Sequence, residues 1–112
     1  MLKNFWWPLE FSHKVTEKPL RVTALSQEFV MYRTPDGVAH TLSDLCVHRG
    51  GALSGGWMNG DCIVCPSHGW EYTQDGACTL IPANGRDAVV PKKARVDAYP
   101  TVEKYGYVWA FL

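Results

Sequence analysis

The amino-acid sequence predicts an all-β protein. Short segments rich in branched and aromatic residues alternate with turns that contain glycine or proline, a spacing typical of many short strands. No stretch of ten or more residues keeps a helical apolar period free of glycine and proline. With 112 residues the chain fits one domain, which would bury roughly two-thirds of the surface of the unfolded chain. We therefore expect a single β domain over residues 1–112.

The first predicted strands cover residues 20–25 and 29–34. The second of them leads through Pro35 and Gly37 into a further strand over residues 38–42. Proline presets one backbone angle of a turn, and glycine permits a positive one. This segment therefore predicts a hairpin.

The rest of the chain continues the same pattern of strands and turns. Turn residues recur at 59–61, directly before a strand over 62–64, and at 75–76, between two further strands. The longest expected loop covers residues 82–91. The last segment, 106–112, is apolar on both faces, as an interior strand would be.

Charge and apolar patterning give no sign of nucleic-acid binding, membrane insertion or secretion. Eleven Lys and Arg residues balance eleven Asp and Glu residues, so the net charge indicates neither nucleic acid nor an acidic membrane surface. No apolar run approaches the roughly 18 residues of a membrane span, and residues 1–5 lack the apolar stretch of a signal peptide. We therefore expect a cytoplasmic protein that recognises its partners through a local patch.

Two short groups of cysteine and histidine carry the strongest functional signal. One residue separates Cys46 from His48, two residues separate Cys65 from His68, and sixteen residues lie between the groups, 49–64. No other cysteine and histidine grouping in the chain has ligand-like spacing. Two such pairs suit a centre with two metal ions, each of which takes one ligand from each group. A [2Fe–2S] cluster held by two cysteines and two histidines is such a centre.

Two other interpretations of these four residues stay open. A structural zinc ion also takes two cysteines and two histidines, but common zinc sites space their cysteines by roughly two to four residues and their histidines by roughly three to five. A Cys-x-His pair followed by a Cys-x-x-His pair fits that spacing poorly. Unconnected cysteines and histidines would require two coincident pairs in turn-rich segments. The pattern therefore favours the iron–sulfur cluster.

The residues around both groups resemble those of a known family. Residues 46–51, Cys-Val-His-Arg-Gly-Gly, and residues 65–70, Cys-Pro-Ser-His-Gly-Trp, are similar to the two cluster-binding loops of Rieske proteins. The resemblance implies an antiparallel β-sandwich with a small cluster-binding subdomain of two loops, and one Rieske [2Fe–2S] cluster. It also implies four ligands, two cysteines on the inner iron and two histidines on the outer one: Cys46, Cys65, His48 and His68.

Residues beside the ligands are expected to shape the site. The resemblance implies this role for Arg49, Gly50, Pro66, Ser67, Gly69 and Trp70. Arg49 could pair with a carboxylate of a partner, or with Asp44 or Asp61. The loop glycines would allow backbone amides to approach the cluster. Trp70 stands where high-potential Rieske proteins have a hydroxyl donor, which implies a potential at the low end of the Rieske range of about −150 to +300 mV.

The remaining cysteines, Cys62 and Cys78, lie in predicted strands. They could form a disulfide, but two small buried thiols are the expected state in a reducing compartment. Respiratory Rieske proteins carry an extra cysteine in each loop, and the two form a disulfide. Gly51 and Ser67 stand in those places here, which favours the branch of bacterial ferredoxins and ring-hydroxylating oxygenases.

The resemblance extends over the whole chain. Residues 4–8 and 18–20 are similar to the start of the oxygenase subunits of phthalate and vanillate-type Rieske oxygenases, and residues 96–111 are similar to the segment that closes their Rieske domain. Those enzymes activate oxygen at a mononuclear iron held by two histidines and a carboxylate in a second domain. Only His13 and His40 remain for such a site here, so we expect no complete catalytic site in this chain.

Two main functions follow from the resemblance. As a free-standing ferredoxin, the chain would pass single electrons between a reductase and a terminal oxygenase. Alternatively, it would be the N-terminal domain of a Rieske oxygenase and relay electrons to its own catalytic domain. A zinc-stapled binding module is a minor alternative. A basic run at Lys92, Lys93 and Arg95 is by itself more typical of a solvated face than of a docking site.

Overall fold

A computed structural model of the protein describes residues 4–45, 51–85 and 88–112. Its strands are β1 (Trp6–Phe11), β2 (Leu20–Ala24), β3 (Gln27–Arg33), β4 (Ala39–Ser43), β5 (Trp57–Asn59), β6 (Cys62–Val64), β7 (Glu71–Tyr72), β8 (Cys78–Leu80), β9 (Ala98–Tyr99), β10 (Thr101–Lys104) and β11 (Tyr107–Phe111). Short 3-10 turns cover Ser12–Lys14, Leu53–Gly55 and Pro82–Asn84. Within these stretches, no helix reaches the length and apolarity that a membrane span requires.

The strands of the described residues form three antiparallel sheets, which confirms the predicted all-β fold. We call them the terminal sheet, with strand order β1-β11-β10, the middle sheet, β2-β3-β4-β9, and the loop sheet, β5-β6-β7-β8. The middle and terminal sheets share the smaller of two apolar cores, formed by Val15, Val22, Met31, Ala39 and Val108. The two sheets thus make the expected sandwich.

The larger core joins the middle sheet to the loop sheet. It consists of Val30, Tyr32, Leu42, Leu53, Ile63, Cys65, Tyr72, Cys78, Ile81 and Val96. The loop sheet is therefore the small subdomain expected beside the sandwich. Because Cys65 belongs to this core, the start of the segment that follows β6 is fixed by packing.

The hairpin predicted around Pro35 is confirmed by β3 and β4, which pair over five residues. Gly37 has a φ of +84°, and its N–H donates to the Thr34 carbonyl at 2.8 Å. The turn between β2 and β3 has positive φ at Leu25 and Ser26 instead. Neither residue is a glycine, so the sequence carried no conformational signal for that turn.

The last segment lies at the centre of the terminal sheet, as predicted for an interior strand. β11 pairs with β1 on one side and with β10 on the other. Val108 and Ala110 are fully buried, whereas Tyr107 on the other face is exposed. Trp6 and Phe11 of β1 are exposed as well. The fold therefore buries one apolar face of β11 completely and the other, which carries Trp109 and Phe111, only in part.

Arg33 ties the middle sheet to the terminal sheet. Its two terminal nitrogens donate to the two carboxylate oxygens of Glu103, each at 2.8 Å, and its Nε donates to the Val15 carbonyl at 2.7 Å. The hydrogen bonds from Arg33 lower the pKa of Glu103 from 4.5 to about 2. Because the pKa of Glu103 is lower in the folded chain than in the unfolded chain, the ionised carboxylate stabilises the fold at pH values above 4.5. This stabilisation is lost as the pH falls from 4.5 to about 2.

Gly76 and Gly60 should differ in their tolerance of alanine. Both have positive φ, +86° and +61°, which costs an ordinary residue about 1 kcal/mol. A Cβ on Gly76 would also collide with the Val96 carbonyl, whereas a Cβ on Gly60 would meet nothing within 4 Å. In urea unfolding, we expect Gly76→Ala to lower the free energy of unfolding by about 2 kcal/mol more than Gly60→Ala does. Equal losses would contradict the close approach of Val96.

Candidate metal centre

The first loop, residues 46–51, is held at both ends by the chain beside it. Leu45 and Ala52 form an antiparallel bridge, and the Leu53 N–H donates to the Asp44 carbonyl at 2.9 Å. Four residues singled out by the sequence lie outside the described residues: Cys46, His48, Arg49 and Gly50. The structure therefore fixes where this loop leaves the fold and where it returns.

A buried carboxylate closes the base of the first loop. Asp44 is only 2% exposed. Its Oδ1 accepts a hydrogen bond from the Ser54 N–H at 2.6 Å, and its Oδ2 accepts from the Ser54 hydroxyl at 2.7 Å and from Arg21 Nε at 2.8 Å. Hydrogen bonds to a charged group are roughly twice as strong as neutral ones. Asp44 thus joins the segment before the first loop to the segment after it.

The sequence did not reveal this role of Asp44. It marked Asp44 only as one possible partner of Arg49, because no spacing rule connects Asp44 with Arg21 or Ser54. Both carboxylate oxygens of Asp44 are engaged by those two residues. Arg49 itself lies outside the described residues, so its pairing with Asp44, with Asp61 or with a carboxylate of a partner stays a prediction.

The second loop, residues 65–70, turns one ligand candidate inward and the other outward. Cys65 is fully buried, whereas His68 is exposed. The Cys65 N–H donates to the Trp70 carbonyl at 2.9 Å, and the Gly69 N–H donates to the Cys65 carbonyl at 3.0 Å. Gly69 has a φ of +73°, which glycine adopts without steric cost. These contacts fold the loop back on itself and separate the thiol from the imidazole.

The two loops touch at Gly51. A Cβ placed on Gly51 would collide with the Ser67 hydroxyl and would lie 3.4 Å from Ser67 Cβ and 3.7 Å from Cys65 Sγ. Pro66 of the second loop lies close to Gly55, the last residue of the 3-10 turn that follows the first loop. Its Cγ would lie 3.5 Å from a Cβ placed on Gly55. The space beside Cys65 therefore depends on a residue without a side chain at position 51.

Cysteines at positions 51 and 67 should form a disulfide. The 3.4 Å between the two Cβ positions is close to the roughly 3.5–4.5 Å of disulfide-bonded pairs. We expect the oxidised Gly51→Cys/Ser67→Cys variant to be more stable than its reduced form by about 3 kcal/mol, because the bond closes a loop of 17 residues, 51–67. Peptide mapping identifies the bond, and urea unfolding with and without reductant measures the gain. Two thiols that both stay reactive after oxidation would contradict the loop contact.

The described residues supply half of the expected donor set. Among residues 4–45, 51–85 and 88–112, no three His, Cys, Asp or Glu side chains lie close enough to hold a metal ion. The sequence predicts that the first loop supplies the other two ligands, and its described end, Gly51, lies against Cys65. A buried thiol and an exposed imidazole in one loop fit a centre with a cysteine-bound iron inside and a histidine-bound iron outside.

Cys62 and Cys78 are not joined by a disulfide, and they lie in β6 and β8. Cys78 is buried, but Cys62 is only partly buried, so the expectation of two buried thiols is correct for Cys78 alone. Burial raises the pKa of both thiols. Both thiols lie within strands of the loop sheet and outside the two loops, and Cys78 Sγ donates to the Leu80 carbonyl at 3.5 Å.

The chain matches one family of proteins over most of its length. The family described as the Rieske [2Fe–2S] domain matches residues 5–104. Methylxanthine N1-demethylase NdmA from Pseudomonas putida is 37% identical over 114 residues, which cover 96% of this chain and 32% of NdmA. Oxidoreductase NdmD from the same organism is 35% identical over 111 residues, which cover 97% of this chain and 19% of NdmD.

The fold is also that of a solved structure. A crystal structure of apo dicamba monooxygenase matches with a TM-score of 0.92 at 32% identity, and the match covers 99% of this chain and 34% of that one. This chain therefore spans about a third of the length of NdmA and of dicamba monooxygenase, and about a fifth of the length of NdmD.

Proposed function

Because this chain belongs to the Rieske [2Fe–2S] family, we propose that it passes single electrons between a reductase and a terminal oxygenase. The cofactor of the family is one Rieske-type [2Fe–2S] cluster. The observation that carries the proposal is the contact between the two loops. Gly51 of the first loop lies against the buried Cys65 of the second, while His68 of the second loop faces solvent.

The proposal assigns the ligands to the two loops in pairs. Cys65, from inside the larger core, would hold the inner iron together with Cys46. His68, at the exposed side, would hold the outer iron together with His48. Neutral imidazoles place less negative charge on the centre than thiolates do, so the site is easier to reduce than one with four cysteines. When bound, the cluster would accept one electron from a donor and pass it on to an acceptor, reversibly.

The neighbours of the ligands keep the loops in shape in this proposal. Gly69 permits the backbone contacts that close the second loop, and Ser67 lies against Gly51 of the first. Trp70 has no hydroxyl to donate to a sulfur, which supports a potential at the low end of the Rieske range of about −150 to +300 mV. Arg49 is proposed to face a partner, and it lies outside the described residues.

A second candidate function is supported by the lengths of the relatives. NdmA and dicamba monooxygenase contain the equivalent of this chain as about a third of their length. In this alternative, the same electron transfer serves an iron centre in a further domain. His13 and His40 lie in different elements, a 3-10 turn and β4, so we assign no oxygenase activity to this chain by itself. The reading frame after Leu112 distinguishes the two settings.

Redox titration of the purified chain tests the proposal. Coulometric reduction should take up one electron per chain, and the visible spectrum should return on reoxidation through repeated cycles. In the presence of reduced NdmD, the chain should cycle between two spectral states and leave added dicamba unchanged. A hydroxylated or demethylated product formed by the isolated chain would contradict the carrier role, as would the absence of any reducible centre.

A further inference from the structure

An open groove lies beside His68. It has a volume of about 600 Å³ and is lined by His68, Trp70, Ile81, Ala83, Asn84 and Pro91. Most of these side chains are apolar. His68 is the exposed one of the two described ligand candidates, so the groove borders the place where an electron would enter or leave the chain.

Fixed elements form the groove. Ile81 is only 7% exposed, and Trp70 packs against the larger core, so the floor does not depend on a partner. Ala83 and Asn84 lie in a 3-10 turn, in which the Asn84 N–H donates to the Ile81 carbonyl at 2.9 Å. An apolar surface that is already ordered loses little conformational freedom when a partner binds.

Two lysines lie next to the wall of the groove. Lys92 and Lys93 directly follow Pro91, and both are exposed. Among the described residues, the ion pairs involve Arg21 and Arg33 only. No described carboxylate therefore forms an ion pair with either lysine. Lysines at the edge of an apolar groove can pair with carboxylates of a protein that binds in the groove. A basic run on a uniformly polar face has no such groove beside it.

We propose that this groove is the docking surface for the electron-exchange partner of the chain, an acidic protein that inserts an apolar side chain against Trp70 and Pro91. Carboxylates of that partner would face Lys92 and Lys93. The inference rests on the proposed electron-transfer function and specifies where the partner binds. In each encounter the partner is oxidised by one electron, and this chain is reduced by one.

The physical demands of such a partner agree with the site. Electron tunnelling weakens steeply with distance, so the partner must approach His68 closely. Electron-transfer encounters use small interfaces, below about 1,200 Å² in total, for which one groove with a charged edge is sufficient. Complementary charges raise the association rate more than the affinity, which allows the partner to arrive quickly and to leave again.

Two variants of the cluster-loaded chain test the proposal with reduced NdmD as the probe. Ala83→Trp fills the groove, and Lys92→Glu/Lys93→Glu reverses the charge beside it. We expect each to weaken binding measured by calorimetry, and to slow electron transfer measured by stopped-flow absorbance, by at least tenfold at low salt. Added salt should reduce the effect of the charge reversal and leave that of Ala83→Trp. Lys14→Glu/Lys18→Glu, a matched charge reversal in the segment after β1, should stay within twofold of the wild type.

A small reductant separates docking from damage to the metal centre. Photoreduced lumiflavin does not need the groove, so it should reduce the wild type and both groove variants at similar rates. The proposal is overturned if the groove variants bind and accept electrons from NdmD as the wild type does, or if lumiflavin slows in parallel with NdmD. A wild-type chain that takes no electron from either reductant would instead contradict the proposed function on which the inference rests.

Discussion

Cys65→Ala should leave the chain without its two irons, whereas the double variant Cys62→Ser/Cys78→Ala should keep both. Cys65 is the buried thiol that lies against the first loop at Gly51. Cys62 and Cys78 lie within strands β6 and β8, outside both loops. Iron and acid-labile sulfide analysis of anaerobically purified protein measures the difference.

Circular dichroism must show that both of these cysteine variants are folded. The double variant changes one buried residue, Cys78, which can cost about 1 kcal/mol of stability. A folded double variant that has lost its irons would mean that Cys62 or Cys78 is a ligand. A Cys65→Ala protein that keeps two irons would equally refute the ligand set.

Asp44→Ala should lower the free energy of unfolding by about 3 kcal/mol. The substitution removes two hydrogen bonds from Ser54 to a buried carboxylate, and a bond to a charged group is worth about 1.5–3 kcal/mol. Among the described residues, it also leaves only backbone contacts between the two ends of the first loop, so iron should pass to a chelator faster than in the wild type. Urea unfolding and chelator-dependent bleaching of the visible spectrum measure the two effects.

Glu28→Ala is the matched control for Asp44→Ala. Glu28 is the other carboxylate beside Arg21, at 3.8 Å, but both side chains of that pair are about half exposed. A solvent-exposed ion pair contributes little to stability, so Glu28→Ala should leave unfolding and iron release close to those of the wild type. If the two substitutions have equal effects, the buried hydrogen bonds of Asp44 do not hold the loop.

Local signals account for what the sequence predicted of the fold. Pro35 and Gly37 determine a turn through their own backbone preferences, and Gly60 and Gly76 do the same in the loop sheet. The turn at Leu25 was not predictable in this way, because a residue with a side chain adopts positive φ there. The pairing of β1 with β11 joins the two ends of the chain, and no local pattern specifies a partner so distant in sequence.

The sequence likewise shows part of the candidate site, and the rest is visible only in the folded chain. Cys65 and His68 are ligand candidates because ligand type and spacing within one loop are visible in the sequence. The opposite orientation of their side chains depends on how β6 packs in the larger core, which spacing does not show. The contacts of Asp44 with Arg21 and Ser54 bring together three separate segments, so they become visible only in the folded chain.

Pulsed electron paramagnetic resonance of the chain reduced by one electron tests the central claim most directly. A cluster held by two cysteines and two histidines should give a paramagnetic signal coupled to two imidazole nitrogens. His68→Cys should remove one of these couplings and lower the reduction potential towards the value of about −400 mV for clusters with four cysteines. A colourless protein that contains one zinc ion and gives no signal, or a signal without nitrogen coupling, would contradict the assignment.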